Sequence, residues 1–276
     1  MKIMMTLTLG FFLATSPAYA DNDFKTYEIS TTVDSITYEA TVYQPIKVNV
    51  KYALIISHNI AGVTPLETAN ATYFAESGYM VLVPHPFANE MSADVPDTAK
   101  VDADYLRYGT AGSSLLNRMI EQFSLPPAIP VFGLGSSQGA VTSIILASQI
   151  PQIKAIWTAV GGGNLPYIYS HSLVPQVINF RYHHMKALGI LEITTYETYL
   201  HQNLKNDPAI SCKSITVPFH QLIALYDDMV PTKTQEYLVD ECPAHDVKRL
   251  SVDHIVGAAT VLWDREDIKK FFESSI

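Results

Sequence analysis

Residues 135–139 read Gly-Ser-Ser-Gln-Gly and fit the pattern G-x-S-x-G, with Ser137 at its centre. This pattern is typical of a sharp strand-to-helix turn that lifts a nucleophilic serine clear of a sheet. Its two glycines leave room where side chains would collide. An apolar run over residues 129–134 precedes the motif, and a helical pattern follows it. Ser137 is therefore the predicted nucleophile for acyl transfer, and Ser136, one position out of register, is not.

A serine nucleophile of this kind needs an acid and then a histidine later in the chain, each just past a strand. Asp227 follows one predicted strand, and His254 comes shortly after the next. His254 would accept the Ser137 proton, while Asp227 would hold the imidazole tautomer and stabilise the imidazolium. Asp228 is the alternative acid. The predicted catalytic triad is Ser137, Asp227 and His254.

The oxyanion that forms when a serine attacks a carbonyl needs two backbone N–H donors. One is expected at Gln138, directly after the nucleophile, and the other in the loop over residues 57–62, where Ile60 is the predicted donor. The alternative for this loop is an ordinary strand-to-helix turn.

The N-terminus predicts export. Lys2 and an apolar run over residues 3–14 precede residues 18–20, which read Ala-Tyr-Ala. Small residues at these positions suit signal peptidase, so residues 1–20 are predicted to be cleaved before Asp21. The alternative is a membrane anchor, but the apolar run is shorter than the roughly 20 residues that a spanning helix needs. No later stretch reads as a transmembrane helix, and a periplasmic or secreted location is predicted.

The histidines and cysteines outside the triad do not predict a metal site. His183 and His184 are adjacent and cannot face one ion from the same side of a helix, so they are interpreted as polar contacts. Cys212 and Cys242 stand in neither a CxxC nor a metal-ligand spacing. An even pair in an oxidising compartment instead predicts one disulfide, the alternative being two buried free thiols. Neither a metal nor a cofactor is predicted.

The charge balance limits the partners. The net charge is −9, and it becomes −10 without the leader, whose single charge is Lys2. An acidic surface argues against nucleic acid and against an anionic membrane as the main partner. A small neutral substrate remains compatible with it, and the sequence does not indicate an oligomeric state.

The elements that must position these residues alternate regularly between strand and helix. Such alternation predicts right-handed βαβ units, a mostly parallel sheet and helices on both of its faces. Two N-terminal segments with β-branched and aromatic residues predict an antiparallel edge, 26–30 and 36–43. The other predicted strands are 52–57, 79–83, 129–134, 153–160, 219–225 and 247–252. The predicted helices are 67–77, 111–123, 138–149, 233–239 and a last one that ends near Phe272.

The alternation stops from residue 161 to about 207, where the sequence is helical, irregular and rich in aromatic residues. This stretch is predicted to be an insertion within one domain over residues 21–276. A long loop is predicted from residue 85 to about 106.

Three segments, 58–63, 75–79 and 81–84, resemble the corresponding stretch of the α/β-hydrolase superfamily, in its dienelactone-hydrolase-like branch. Asp227, four residues before Pro231, resembles the acid turn D-x-x-V-P of that branch. The resemblance covers most of the chain and implies the α/β-hydrolase fold, with a parallel central sheet. It also implies that the insertion forms a helical cap over the active site.

The chain departs from that branch at two positions. Dienelactone hydrolases proper have a cysteine nucleophile where this chain has Ser137, and a glutamate in the loop where it has Asn59. General ester hydrolysis, rather than lactone specificity, is therefore the expectation.

These residues together predict a serine hydrolase that cleaves carboxylic esters through an acyl-enzyme on Ser137. An acyltransferase or a peptidase on the same triad is one alternative. A binding protein of the same fold that has lost activity is another, and the complete triad argues against it.

The insertion also predicts the character of the substrate. Its apolar and aromatic side chains would line an acyl pocket above Ser137, so neutral, apolar esters are expected to be preferred. Arg181 and Lys186 are the nearby cations that could face an anionic group. The rate is expected to rise from acetate toward butyrate or longer esters and then to fall when the pocket is full.

Overall fold

Eight strands form one sheet in the computed structural model, which describes residues 23–86, 97–242 and 246–276. Their order across the sheet is first, second, fourth, third, fifth, sixth, seventh, eighth. The first two pairs in this order are antiparallel, and all the others are parallel. In chain order the strands are β1 (Phe24–Val33), β2 (Ile36–Pro45), β3 (Tyr52–Ser57), β4 (Tyr79–Pro84), β5 (Val131–Ser136), β6 (Ile153–Ala159), β7 (Phe219–Ala224) and β8 (Asp246–Leu250). The predicted parallel sheet with an antiparallel N-terminal edge is confirmed.

Helices cover both faces of this sheet, because successive side chains of the buried strands point to opposite sides. The helices are α1 (Pro65–Glu76), α2 (Thr98–Gln122), α3 (Gln138–Gln149), α4 (Leu165–His171), α5 (Pro175–Leu188), α6 (Ile193–Asn203), α7 (Pro208–Ser211), α8 (Thr232–Glu241), α9 (His254–Trp263) and α10 (Arg265–Glu273). Leu54 of β3 packs with α1, α9 and α10, whereas its neighbour Ile55 packs with α2, α3 and α8.

Helix α1 begins and ends where its sequence dictates. The Thr64 side chain accepts from the backbone of the first turn, the Glu67 carboxylate accepts from the Thr64 N–H, and Pro65 occupies the first helical position. This is a capping box, which satisfies two of the free N–H groups of a helix start. Gly78 has a φ of +91°, a left-handed conformation that glycine adopts without steric cost, so the chain turns directly into β4.

Two helices differ from the sequence-based prediction. Helix α2 begins at Thr98, thirteen residues before the predicted start at 111, so part of the predicted loop is helical. Asp97 caps this start by accepting from the N–H groups of Ala99 and Lys100, and Val101 and Tyr105 continue the buried stripe. The predicted single C-terminal helix is two helices, because Asp264 (φ −88°, ψ 12°) breaks the geometry between α9 and α10.

The insertion over residues 161–207 contains α4, α5 and α6, and both of its ends are fixed by Asp207. This carboxylate accepts from the N–H groups of Asn164 at 3.1 Å and Leu165 at 2.5 Å, where α4 begins, and from Ala209 at 2.9 Å, where α7 begins. Burial raises the pKa of Asp207, and these three N–H donors act in the opposite direction. The aromatic side chains of the insertion, such as Tyr169 and Phe180, pack against α2 and α3 in a third core cluster.

A disulfide joins Cys212, in the turn after α7, to Cys242 at the end of α8, with the Cα atoms 5.3 Å apart. Removing it with Cys212→Ala/Cys242→Ala is expected to lower the free energy of unfolding by about 3–4 kcal/mol, because the bond closes a loop of about 30 residues in the unfolded chain. Urea unfolding of both proteins measures this difference. Two thiols that can be alkylated in the folded protein without prior reduction would contradict the bond.

The predicted leader, residues 1–20, lies outside the described residues, and its cleavage before Asp21 stays a prediction. Among the residues that the structure describes, none of the helices is both long and apolar enough to cross a bilayer.

Candidate active site

Ser137 occupies the tight turn between β5 and α3, with a φ of +55° and a ψ of −123°. A non-glycine residue in such a region costs about 1–3 kcal/mol and persists only when its surroundings enforce it. Here the backbones approach too closely for larger neighbours. A Cβ on Gly135 would lie 2.1 Å from the carbonyl oxygen of Gly139, and a Cβ on Gly139 would lie 2.3 Å from that of Ser57. The two glycines of the motif therefore have the spatial role that the sequence predicts.

The three side chains of the predicted triad form one chain of hydrogen bonds. His254 Nε2 lies 3.0 Å from Ser137 Oγ, and His254 Nδ1 lies 2.7 Å from Asp227 Oδ2. All three residues are buried, Ser137 with 7% and Asp227 with 3% of its surface exposed. His254 begins α9, where Asp253 caps the helix by accepting from the N–H of Val256. The order of contacts is the one in which a histidine takes the proton of a serine and an acid orients the histidine.

Asp227, and not Asp228, contacts the histidine. Asp227 Oδ1 accepts from the backbone N–H groups of Met229 at 2.9 Å and Val230 at 2.8 Å, so the carboxylate is fixed in the turn after β7. Asp228 is exposed. The turn that the D-x-x-V-P pattern predicts thus serves to hold this carboxylate.

Sequence reasoning missed Gln235, a fully buried side chain of α8 that touches the acid. Its Nε2 donates to Asp227 Oδ2 at 2.8 Å and to the carbonyl of Val230 at 2.8 Å, and its Oε1 accepts from the N–H of Ala224. The only signal in the sequence is its position eight residues after the acid, which by itself predicts nothing.

Both residues predicted to supply the oxyanion donors lie near Ser137. Gln138 is the first residue of α3, where backbone N–H groups point out of the helix start. Ile60 and Ser137 both line a small cavity below the insertion and a larger cleft beside α9. Within the described parts of the chain, no hydrogen bond uses the Ile60 N–H, whereas the N–H groups of Asn59 and Ala61 on either side are both bonded.

The loop that carries Ile60 is braced by Glu67, a buried carboxylate of α1 that sequence reasoning also missed. Glu67 Oε1 accepts from the side-chain amide of Asn59 at 3.0 Å and from its N–H at 3.3 Å, and Oε2 accepts from the N–H of Thr64 at 2.7 Å. Asn59 in turn accepts from the N–H of Ala61 at 2.8 Å. Asn59 thus links the loop to α1.

Two spaces meet at Ser137. The inner cavity has a volume of about 50 Å³ and lies between α3 and the insertion, whose side chains supply much of its wall. The outer cleft has a volume of about 370 Å³ and lies between the Ile60 loop, α9 and the start of α5. Of the described residues that line either space, His254 is the only histidine, and none is an aspartate, glutamate, lysine or arginine.

The cations considered for an anionic group do not line these spaces. The Arg181 guanidinium donates to the carbonyls of Tyr169 and Ser172, both at 3.2 Å, and so caps the end of α4. Burial lowers the pKa of Arg181. Lys186 is exposed on α5. A charged substrate group would therefore meet no opposite charge among the described lining residues.

Of the two adjacent histidines of the insertion, His184 makes polar contacts. His184 is buried, its Nε2 lies 2.8 Å from the Thr98 hydroxyl, and its Nδ1 lies 2.9 Å from the Tyr196 hydroxyl. Burial lowers the pKa of His184. These bonds join α5 to the start of α2 and to α6.

No family model and no curated protein matches the sequence. Similar solved structures include acetyl xylan esterase 1 from Thermoanaerobacterium sp. JW/SL YS485, with 14% identity over 93% of this chain and 86% of that one and a TM-score of 0.67. Acetyl xylan esterase from Paenibacillus sp. R4 has 15% identity over 95% and 87% and a TM-score of 0.67. Pyrococcus horikoshii acylaminoacyl peptidase has 13% identity over 91% and a TM-score of 0.62, and this chain spans 41% of its length.

The chain therefore has the α/β-hydrolase fold, which these structures share. At these levels of identity the likeness establishes the fold alone, and the closer resemblance to the dienelactone-hydrolase-like branch stays a prediction.

Proposed function

We propose that the chain is a serine hydrolase that cleaves carboxylic esters through an acyl-enzyme on Ser137. The observation that carries the proposal is the continuous hydrogen-bonded chain from Ser137 Oγ through His254 to Asp227 Oδ2, at 3.0 and 2.7 Å. The strained φ of Ser137 supports it, since such strain clusters at active sites. Esterases and peptidases of the same fold supply further support for hydrolase chemistry.

In this mechanism Ser137 Oγ attacks the ester carbonyl while His254 Nε2 accepts its proton. Asp227 stabilises the imidazolium that results. The N–H groups of Gln138 and Ile60 donate to the oxyanion. Because such backbone donors are held in place by the fold, they stabilise the developing charge without reorganising. His254 then returns the proton to the departing alcohol oxygen. Water, deprotonated by the same histidine, attacks the acyl-enzyme, and His254 returns that proton to Ser137 Oγ as the acid leaves.

A fluorophosphonate probe tests the proposal. One probe per chain is expected to attach to Ser137, which peptide mass spectrometry locates, and unfolding in urea beforehand is expected to abolish labelling. A probe that leaves the folded protein unlabelled, or that attaches elsewhere, would contradict the proposal.

Amide hydrolysis and acyl transfer would use the same groups. Parallel assays with a p-nitrophenyl ester and the matching p-nitroanilide separate ester from amide hydrolysis. Addition of butanol as an acceptor separates transfer from hydrolysis, because transfer yields the butyl ester. The proposal expects the ester to be cleaved and the free acid to be the main product.

Gln235 has a positioning role in this mechanism, because it donates to the carboxylate oxygen that faces His254. Gln235→Met is expected to lower kcat about tenfold, because Asp227 Oδ2 loses the donor that holds it in place toward His254; this is the low end of the effect of a hydrogen bond to a charged group, about 1.5–3 kcal/mol. Without this donor the negative charge concentrates on Asp227 Oδ2 and holds the imidazolium proton more tightly. The acid limb of the kcat/KM profile is therefore expected to move to higher pH.

Gln221→Met is the matched control. Gln221 is equally buried and bonded, but it contacts the carbonyls of Gly161 and Leu222 and no triad side chain. The Gln221→Met variant is expected to be less stable, with the acid limb of its kcat/KM profile unchanged. If the acid limb of Gln235→Met is also unchanged, Gln235 contributes packing alone and does not position Asp227.

A further inference from the structure

The two spaces at Ser137 differ in which groups of the proposed mechanism they border. His254 and its helical neighbours Ile255, Ala258 and Ala259 line the outer cleft and not the inner cavity. Gln138, whose N–H is a proposed oxyanion donor, lines the inner cavity. Ser137 thus lies between the outer cleft, which His254 lines, and the inner cavity, which the start of α3 lines.

The chemistry of ester cleavage fixes which half of the substrate enters each space. His254 must return a proton to the departing oxygen, so that oxygen has to lie within hydrogen-bond reach of Nε2. The alcohol half therefore extends over α9 into the outer cleft. The acyl half, on the other side of the carbonyl carbon, extends into the inner cavity below the insertion.

The volumes of the two spaces then limit the sizes of the acyl and alcohol halves of the ester. A cavity needs about 10–15 Å³ to hold one water-sized group. The inner cavity, at about 50 Å³, accordingly holds a short acyl tail of a few carbon atoms. The outer cleft, at about 370 Å³, holds a much larger group and is bordered by the exposed side chain of Ile255, which is 64% accessible.

Part of the wall of the inner cavity belongs to a packed core and does not yield easily. Val177 of α5 and Val141 of α3 line it and are each 5% exposed. Tyr105 and Tyr169 also line it, with their hydroxyl oxygens 3.0 Å apart, which ties α2 to α4. All four belong to the cluster that joins the insertion to the rest of the domain.

We infer that the substrates are uncharged esters of a short acyl group, up to about the size of butyryl, with a larger apolar alcohol. This inference rests on the proposed function and adds the division of the site between the two halves. The sequence analysis expects the rate to rise toward butyrate or longer acyl groups. The inference limits the acyl group to about the size of butyryl and allows a longer alcohol.

Two isomeric esters, octyl acetate and ethyl octanoate, test the inference, because they have the same atoms and carry the long chain on opposite sides of the carbonyl. Their hydrolysis is followed in a pH-stat below their solubility limits, beside p-nitrophenyl acetate. Octyl acetate is expected to have a kcat/KM on the order of a hundredfold above that of ethyl octanoate, because the four methylenes beyond butyryl would each forgo about 0.8 kcal/mol of burial. Equal rates, or faster cleavage of ethyl octanoate, would overturn the division of the site.

Failure of the proposed function has a different signature. In that case p-nitrophenyl acetate and both isomers would stay intact, and the fluorophosphonate would leave Ser137 unlabelled. This result would remove the inference together with the function, whereas cleavage of p-nitrophenyl acetate with the wrong preference between the isomers would remove the inference alone.

Val177→Ala tests the wall directly. It is expected to raise kcat/KM for ethyl hexanoate by up to about fourfold for each methylene that gains room. The ratio of kcat/KM for ethyl hexanoate to that for octyl acetate is therefore expected to rise. Val101→Ala is the matched control, since Val101 packs in the same core cluster but does not line the cavity. Val141→Ala serves as a second wall variant if Val177→Ala fails to fold. An acyl preference unchanged by the wall variant that folds would contradict the assignment of the inner cavity.

Discussion

Replacing Ser137 with alanine is expected to lower kcat for ester hydrolysis by about 10⁶-fold, the scale seen when a triad nucleophile is removed. Ser137 Oγ is the atom that His254 Nε2 faces at 3.0 Å, and alanine has no atom that can form the acyl-enzyme. The measurement is turnover of p-nitrophenyl acetate together with labelling by the fluorophosphonate, and both are expected to vanish.

Ser136→Ala is the matched control, because it also removes a serine hydroxyl, one position earlier in the chain. Ser136 ends β5 and forms no hydrogen bond with His254. The variant is expected to stay active and to be labelled. An inactive Ser136→Ala beside an active Ser137→Ala would show that the nucleophile is assigned to the wrong serine.

Asp227→Asn is expected to lower kcat by about 10⁴-fold. The asparagine has no orientation that satisfies its neighbours. If its oxygen faces the N–H groups of Met229 and Val230, its amide nitrogen faces the donor of Gln235 and the N–H of His254. If the side chain flips, the amide nitrogen faces the two backbone N–H groups instead. In either orientation two donors oppose each other, and the imidazolium loses its negative partner.

The same opposition is expected to lower the free energy of unfolding by about 1–3 kcal/mol, the range for a buried polar group left without a partner. Urea unfolding therefore accompanies the kinetics, so that lost activity can be separated from lost protein. Asp228→Asn, at the exposed position next to the acid, is expected to leave both turnover and stability close to those of the parent chain. A crippled Asp228→Asn beside a normal Asp227→Asn would reverse the assignment of the acid.

The residues that could be placed from the sequence are those whose chemistry or backbone geometry restricts the residue type. Gly135 and Gly139 are required by backbone contacts, and Ser137, Asp227 and His254 follow in the chain order that this fold imposes. Apolar runs predicted the buried strands equally well, because a parallel sheet buries both faces. These features are local in sequence, so a local pattern suffices to predict them.

The features that the sequence did not predict depend on what a polar residue meets in space. Glu67 and Gln235 look like surface residues in a helix, yet both are buried because backbone N–H groups or another side chain satisfy them. The sequence-based prediction has the first half of α2 as a loop, although Val101, Tyr105 and Tyr108 recur at helical spacing. These side chains pack in the cluster that includes the insertion, which lies some sixty residues or more along the chain.

Asp207 has a consequence for how the specificity of this fold can change. Because its carboxylate bonds both Leu165 and Ala209, the insertion leaves the domain and returns to it at one point. The conformational entropy of closing a loop between fixed ends grows slowly with length, by only about 0.6 kcal/mol for each doubling. The length of the segment between these two ends therefore adds little to the entropic cost of closing it. A graft that keeps the Asp207 junction, and that again covers the buried faces of α2 and α3, is expected to bring a new substrate range to an unaltered triad.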